Sequence, residues 1–107
     1  MITFEDFKKL DLRIAIVEGA KRIDGSDKLI KLTIDAGEGE RQIIAGVGKY
    51  YSPEELVGRR IVIVANLEPR KLMGLESQGM LLAAESKEFG PVLLMPDKDI
   101  PAGSKIT

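Results

Sequence analysis

The sequence predicts an all-β fold: a five-stranded barrel with a short helix between its third and fourth strands, a short N-terminal helix, and a C-terminal extension over about residues 90–107. Three observations carry this reading. Leu12, Ile14 and Ile16, and again Ile30, Leu32 and Ile34, recur at a period of two, as strands with one covered face require. The β-branched run Ile61, Val62, Ile63, Val64 marks a strand covered on both faces. Turn-forming clusters at Asp24–Asp27 and Gly37–Glu40 separate the apolar runs, while helix signals are confined to two short segments. With 107 residues the chain forms one domain, large enough to bury most of its apolar surface and too small for two cores.

Taken in order, Thr3 and Asp6 have the spacing of a capping box, and Ile2 and Phe7 that of a hydrophobic staple, so a helix is expected over Phe4–Lys9. The first strand runs from Leu12 to about Ile23 and ends in the turn Asp24, Gly25, Ser26, Asp27. In the second, Ile30, Leu32 and Ile34 face the core and Lys31, Thr33 and Asp35 face outward. Gly37–Glu40 reads as a hairpin connection and Arg41–Ala45 as the returning strand. Ser52 and Pro53 open a second helix that runs through Leu56 and stops at Gly58. Strands over Arg60–Ala65 and Met80–Ala84 complete the set, and a helix between the third and fourth strands is the order of the oligonucleotide-binding barrel. The apolar VLLM of Val92–Met95 and the turn-rich PDKDIPAGSKIT after it lie outside these strands, so the barrel is expected to fold without them. They would serve as a lid on their own barrel or as the surface of a dimer.

Composition narrows the function. Zero cysteines exclude a disulfide framework, a thiolate nucleophile and a Cys-rich zinc site, and zero histidines remove the usual general base and the commonest metal ligand. No Walker-type loop, S-x-x-K sequence or G-x-S-x-G elbow organises the remaining serines, lysines and carboxylates, so neither catalysis nor a cofactor is expected. No segment reaches the roughly 20 apolar residues of a membrane span, and no signal-peptide pattern precedes Phe4, which makes a cytoplasmic protein the expectation. The net charge of −1 is unlike that of a typical nucleic-acid-binding protein. Its distribution matters more: Arg59, Arg60, Arg70 and Lys71 outnumber Glu68 and Glu76 between residues 59 and 80, whereas acids concentrate at Glu5, Asp6, Asp11, Glu54 and Glu55.

The densest chemistry lies in RIVIVANLEPRKLMGLESQGM, Arg60 to Met80. A buried-strand signal ends there at Asn66, the sole asparagine of the chain. Pro69 holds Glu68 extended, Arg70 and Lys71 supply adjacent cations, and Gly74, Ser77 and Gly79 permit sharp bends before the next apolar run. A composition poor in Asn, Gln, His and Cys and rich in charge fits selection for thermal durability, so an amide retained at a strand end points to a specific hydrogen-bonding duty.

The spacing N-x-x-P-R-K-x-x-G-x-x-S-x-G-M, read at Asn66, Pro69, Arg70, Lys71, Gly74, Ser77, Gly79 and Met80, resembles the signature of the tRNA-binding domain appended to methionyl-tRNA synthetases. It is similar also to that of free-standing structure-specific tRNA-binding proteins and of the cytokine-like module of the multi-synthetase complex. Matches at Phe4–Arg13, Asp27–Gly37 and Tyr50–Asn66 extend the resemblance along nearly the whole chain. It implies an oligonucleotide-binding barrel with a C-terminal extension, usually dimeric, that binds tRNA as the beta subunit or C-terminal domain of a methionyl-tRNA synthetase, with a catalytic subunit as a further partner. It also implies tRNA contacts by Asn66, Arg70, Lys71, Ser77 and Met80, with Lys28 and Arg41 joining them from the second and third strands. A bacterial export chaperone of the same fold has a similar N-terminal FxxFxxLD pattern and VLLxP ending, which makes peptide binding the rival function.

Three phenylalanines, two tyrosines and no tryptophan cannot make a continuous stacking platform for single strands. The polar cluster suits recognition of folded tRNA by shape: Arg70 and Lys71 on phosphates, Asn66 and Ser77 on sugar or base edges, Met80 as an apolar contact. Residues 71, 77 and 80 are accordingly expected to face the ligand and to contribute little to stability.

Overall fold

In the computed structural model, which describes residues 1–107, strand β1 (Leu12–Arg22) is 11 residues long, enough to serve two different neighbours. Its first half pairs with β4 (Arg60–Val64), from Leu12 opposite Val64 to Ile16 opposite Arg60. Its second half pairs with β2 (Ile30–Asp35), from Ile16 opposite Asp35 to Arg22 opposite Ile30. A register shift between Val17 and Gly19 bends the strand where it changes partner. With β3 (Glu40–Ala45) beside β2 and β7 (Met80–Leu81) beside β4, the sheet order is β3-β2-β1-β4-β7, curled into a barrel.

The period-two pattern of β2 builds the interior, whereas in β1 the core takes the parity opposite to the expected one: Ala15 and Val17 join it and Ile16 is half-buried. Ile30, Leu32 and Ile34 are wholly buried and meet Ala15, Val17, Ile43, Ile61 and Ile63 in one core cluster. Both short helices carry capping boxes, of which the first was expected. Thr3 and Asp6 cap α1 (Phe4–Phe7), which is shorter than the predicted Phe4–Lys9. Ile2, expected as one half of a staple, is 71% exposed. Ser52 and Glu55 cap α2 (Pro53–Leu56), whose Leu56 is buried in the core.

Two features depart from expectation. Residues 66–79, where bends and no strand were expected, contain the hairpin of β5 (Arg70–Leu72) and β6 (Leu75–Ser77). Its two-residue turn, Met73 and Gly74, has φ of 49° and 80°, the left-handed pair that matches hairpin twist. The expected Met80–Ala84 strand is also divided. β7 pairs with β4, while β8 (Ala83–Ser86) leaves to pair with β9 (Gly90–Leu93). Leu82 is the switch point, its N–H bonded to Val62 and its carbonyl to Leu94.

No backbone ladder joins β3 to β7, so side chains and one backbone hydrogen bond close the barrel. The Ser77 hydroxyl accepts the Ile44 N–H at 3.0 Å and donates to the Gly79 carbonyl at 3.1 Å. The Gln42 N–H donates to Gln78 Oε1 at 3.0 Å, the Gln78 N–H returns to the Gln42 carbonyl at 2.8 Å, and Gln42 Nε2 reaches the Glu76 carbonyl at 2.8 Å. Gly79, at φ 130°, lets the chain pass β4: a Cβ there would stand 2.9 Å from the Val64 carbonyl oxygen.

The C-terminal tail is likewise not independent of the barrel. It lies on the β1 edge that β2 leaves free, with the Gly103 N–H bonded to Ile14, the Ile14 N–H to Ser104 and the Ile106 N–H to Leu12. Removing it strips backbone partners from β1, so the expectation of a barrel indifferent to its tail is corrected.

Ser77 is only 5% exposed. Ser77→Ala orphans a buried N–H and removes a donor from a carbonyl, and the expected result is a loss of about 1–3 kcal/mol in denaturant unfolding at an unchanged m-value.

Candidate nucleic-acid interface

The outer face of β1 and β2, with the β5–β6 hairpin beside it, gathers the positive charge. Lys21, Arg22, Lys28, Lys31, Arg70 and Lys71 make no ion pair, whereas Lys8, Lys9, Arg13, Arg41, Lys49, Arg59 and Arg60 each meet a carboxylate. Lys21 stands directly opposite Lys31 in the β1–β2 register, a like-charge pairing that costs stability unless an anion relieves it. A cleft of about 160 Å³ brings Lys21, Arg22 and Lys31 together beside Leu75 of the hairpin.

Another groove, about 310 Å³, runs between the start of β2, β3, β5 and β7. It brings together Lys28, Arg70 and Met80, three of the residues expected from sequence, over a lining of Ile44, Leu72 and Leu81. Strand alternation sets this: Arg70 and Leu72 share one face of β5, and Lys71 takes the other, opposite Glu76. Lys71 is exposed and free but does not line the groove. The hairpin tip leans on the β1–β2 turn, with Met73 Cε 3.4 Å from where a Gly25 side chain would begin. The two loops that this kind of barrel uses for oligonucleotides therefore touch. A larger cleft, about 470 Å³, lies between α1 and the tail, but its Lys8 and Lys9 are matched by Glu5 and Asp6.

The other expected contact residues serve the protein's own backbone. Asn66 has the specific duty expected of it, but its partners are internal: Oδ1 accepts the Asp11 N–H at 2.9 Å and Nδ2 donates to the Lys9 carbonyl at 2.7 Å. Arg41 donates to the Ala65 carbonyl at 2.6 Å and pairs with Glu38 at 3.5 Å. Ser77 is buried in the barrel seam. Ser77, being buried, is corrected from a ligand contact to a clamp that fixes where the hairpin excursion returns; Asn66 and Arg41, exposed and half-buried, fix where it leaves the barrel. Lys21, Arg22 and the groove residue Leu72 were missed from sequence.

Asp11 links this clamp to a second network. Its carboxylate accepts from Arg13 Nε at 2.9 Å, and that hydrogen bond holds its pKa below the ordinary carboxylate value. Arg13 also reaches Glu38 at 2.8 Å, and Glu38 in turn pairs with Arg41.

The chain matches the family model described as "Putative tRNA binding domain" over residues 12–105. It belongs to the tRNA-binding domain family. It is 60% identical over 106 residues, 99% of the chain, to the methionine–tRNA ligase of Caldanaerobacter subterraneus, of whose length it spans 16%. Among solved structures it resembles a MetRS-related protein from Pyrococcus horikoshii, at TM-score 0.94 and 36% identity over 100% of this chain and 98% of that one. It also resembles the chaperone CsaA of Bacillus anthracis, at TM-score 0.91 and 40% identity over 100% and 99%.

Because the folded-state pKa of Asp11 is depressed, its contribution to stability is present above the unfolded carboxylate value of about 3.9 and is lost as pH falls through the folded value. Asp11→Asn is expected to flatten the acid limb of a stability–pH curve below about pH 4, followed by thermal unfolding, while the variant and the parent keep parallel curves from pH 5 to 7.

Proposed function

We propose that this chain is a non-catalytic tRNA-binding module that supplies tRNA affinity to a methionyl-tRNA synthetase in the cytoplasm, as its beta subunit or as a domain of a longer synthetase. The observation that carries the reading is the group of six cations without an ion pair on and beside β1, β2 and the β5–β6 hairpin, in a chain 60% identical to a segment of a methionine–tRNA ligase. Lys28, Arg70 and Lys71, with Lys21 and Lys31, contact phosphates, and Met80 adds an apolar contact. Contacts to phosphates position a folded RNA without reading its sequence, so unrelated tRNAs bind alike. Tethered to a catalytic unit, such a face raises the effective concentration of tRNA there. The resemblance to a chaperone favours one second reading, capture of an unfolded peptide in the apolar groove.

The functional unit proposed is a homodimer. Val92, Leu94, Met95 and Ile100 are large apolar side chains left exposed on the β8–β9 hairpin and the chain after it. Pairing them about a two-fold axis covers the apolar strip and presents two RNA-binding faces.

Filter binding of several unrelated tRNAs is expected to give affinities within a few-fold of one another. Log affinity should fall with log salt at a slope reflecting a few released counterions. Arg70→Ala and Lys71→Ala each lower that slope by about one. An unfolded polypeptide that outcompetes tRNA establishes the chaperone reading instead.

Sedimentation equilibrium at micromolar concentration is expected to show a dimer, with Leu94→Glu shifting it to monomer at an unchanged unfolding temperature. A monomeric parent protein removes the dimer from the proposal.

A further inference from the structure

We propose that the groove between Lys28, Arg70 and Met80 seats one unstacked nucleobase of the bound RNA, its flanking phosphates held by the two cations. This deepens the tRNA-binding reading and rests on it. A surface that reads only phosphates needs exposed cations and no cavity. Here Lys28 and Arg70 stand over an apolar lining of Ile44, Leu72 and Leu81, where a phosphate would lose its hydration without gaining hydrogen bonds. What fits is a flat, weakly hydrated ring attached to two anionic links. The volume of about 310 Å³ is at the lower end for small-ligand pockets, suited to a single ring system.

Three local features favour a base. Met80, 41% exposed, is held at the groove by its register opposite Val64, so a polarisable thioether is presented for an aromatic face. Arg70 adds a planar guanidinium with no carboxylate to hold it elsewhere, the kind of group on which unpaired bases stack. At Gly46 a side chain would meet Lys28 Cε at 3.1 Å, so glycine keeps that wall thin. The protein's own aromatic rings lie elsewhere: Phe4 and Phe7 in α1, Tyr50 and Tyr51 before α2, and Phe89 in the β8–β9 turn. One seat, rather than a stacking platform, is what this chain can offer a base.

An extended peptide is the less suitable occupant. Adding a strand to β3 requires open N–H groups along its edge, and those of Gln42 and Ile44 already donate to Gln78 and Ser77. The two unpaired cations of the groove, Lys28 and Arg70, match a polyanion better than a neutral chain.

The test uses the intact protein and three RNA hairpins that share one stem: one with a single unpaired 2-aminopurine bulge, one with an abasic residue at that position, and one fully paired. The 2-aminopurine hairpin is expected to bind about tenfold more tightly than the abasic one, with a change in its emission on binding. Gly46→Met, which fills the groove, is expected to bring that ratio within about twofold. The emission change is read on the unsubstituted protein, so it stands even where the variant misfolds. Equal affinity for the base-containing and abasic hairpins, alongside intact binding of whole tRNA, overturns the nucleobase seat and leaves the tRNA-binding reading in place. Displacement of 2-aminopurine by a leucine-rich unfolded peptide at lower concentration than by tRNA also overturns it, assigning the groove to peptide. Failure to bind any tRNA overturns the underlying reading itself.

Discussion

The rest of the structure depends on how the two free edges of a curled sheet are joined. β3 and β7 stand at opposite ends of the strand order, and no ladder of backbone hydrogen bonds connects them. A serine hydroxyl and a reciprocal pair of glutamines do so instead. Side-chain closure frees the chain between β4 and β7 from the sheet. It can leave at Asn66, fold its own hairpin and return at Ser77, while the buried edge groups of β3 remain satisfied. The price of such an excursion is a fixed exit and a fixed return, and the motif residues with the strongest hydrogen-bonding capacity are spent on those two points.

This division of labour explains why one compact motif contains residues of opposite burial. Asn66, Arg41 and Ser77 hydrogen-bond backbone groups, with Ser77 alone of the three buried, while Arg70 and Lys71 are held outward by the hairpin and Met80 by its pairing with β4. Loss of a clamp and loss of a contact therefore have different physical signatures: a clamp affects stability first, and an exposed cation affects association with an anionic partner. Preorganisation links the two, since a hairpin anchored at both ends loses less conformational freedom when it binds.

The electrostatics resolve the apparent conflict between an acidic chain and an RNA partner. Net charge sets a long-range field, but binding responds to the potential at the contact face. Seven cations of this chain are neutralised locally by carboxylates, mostly around α1, the Arg13–Glu38–Arg41 network and α2. Six of the nine unpaired ones lie where β1, β2 and β5 meet. A net charge of −1 thus coexists with a locally basic surface, and few phosphates need be neutralised.

What the sequence determined by itself is whatever follows from neighbours along the chain. Period-two alternation at Ile30, Leu32 and Ile34 specified a half-buried strand, because side chains of an extended backbone must alternate. Thr3 with Asp6, and Ser52 with Pro53, specified two helix starts, because capping and the fixed φ of proline act within one turn. The spacing from Asn66 to Met80 marked the site's location, and family resemblance gave its partner. Tertiary structure alone decided the direction in which each polar side chain turned. The partners of Asn66 lie 55 and 57 positions away and those of Ser77 include one 33 positions away, distances at which nothing local indicates whether an amide or hydroxyl meets protein or ligand. The Met73–Gly74 turn was hidden for a related reason: methionine has no preference for positive φ, and only the closure of β5 on β6 holds it there.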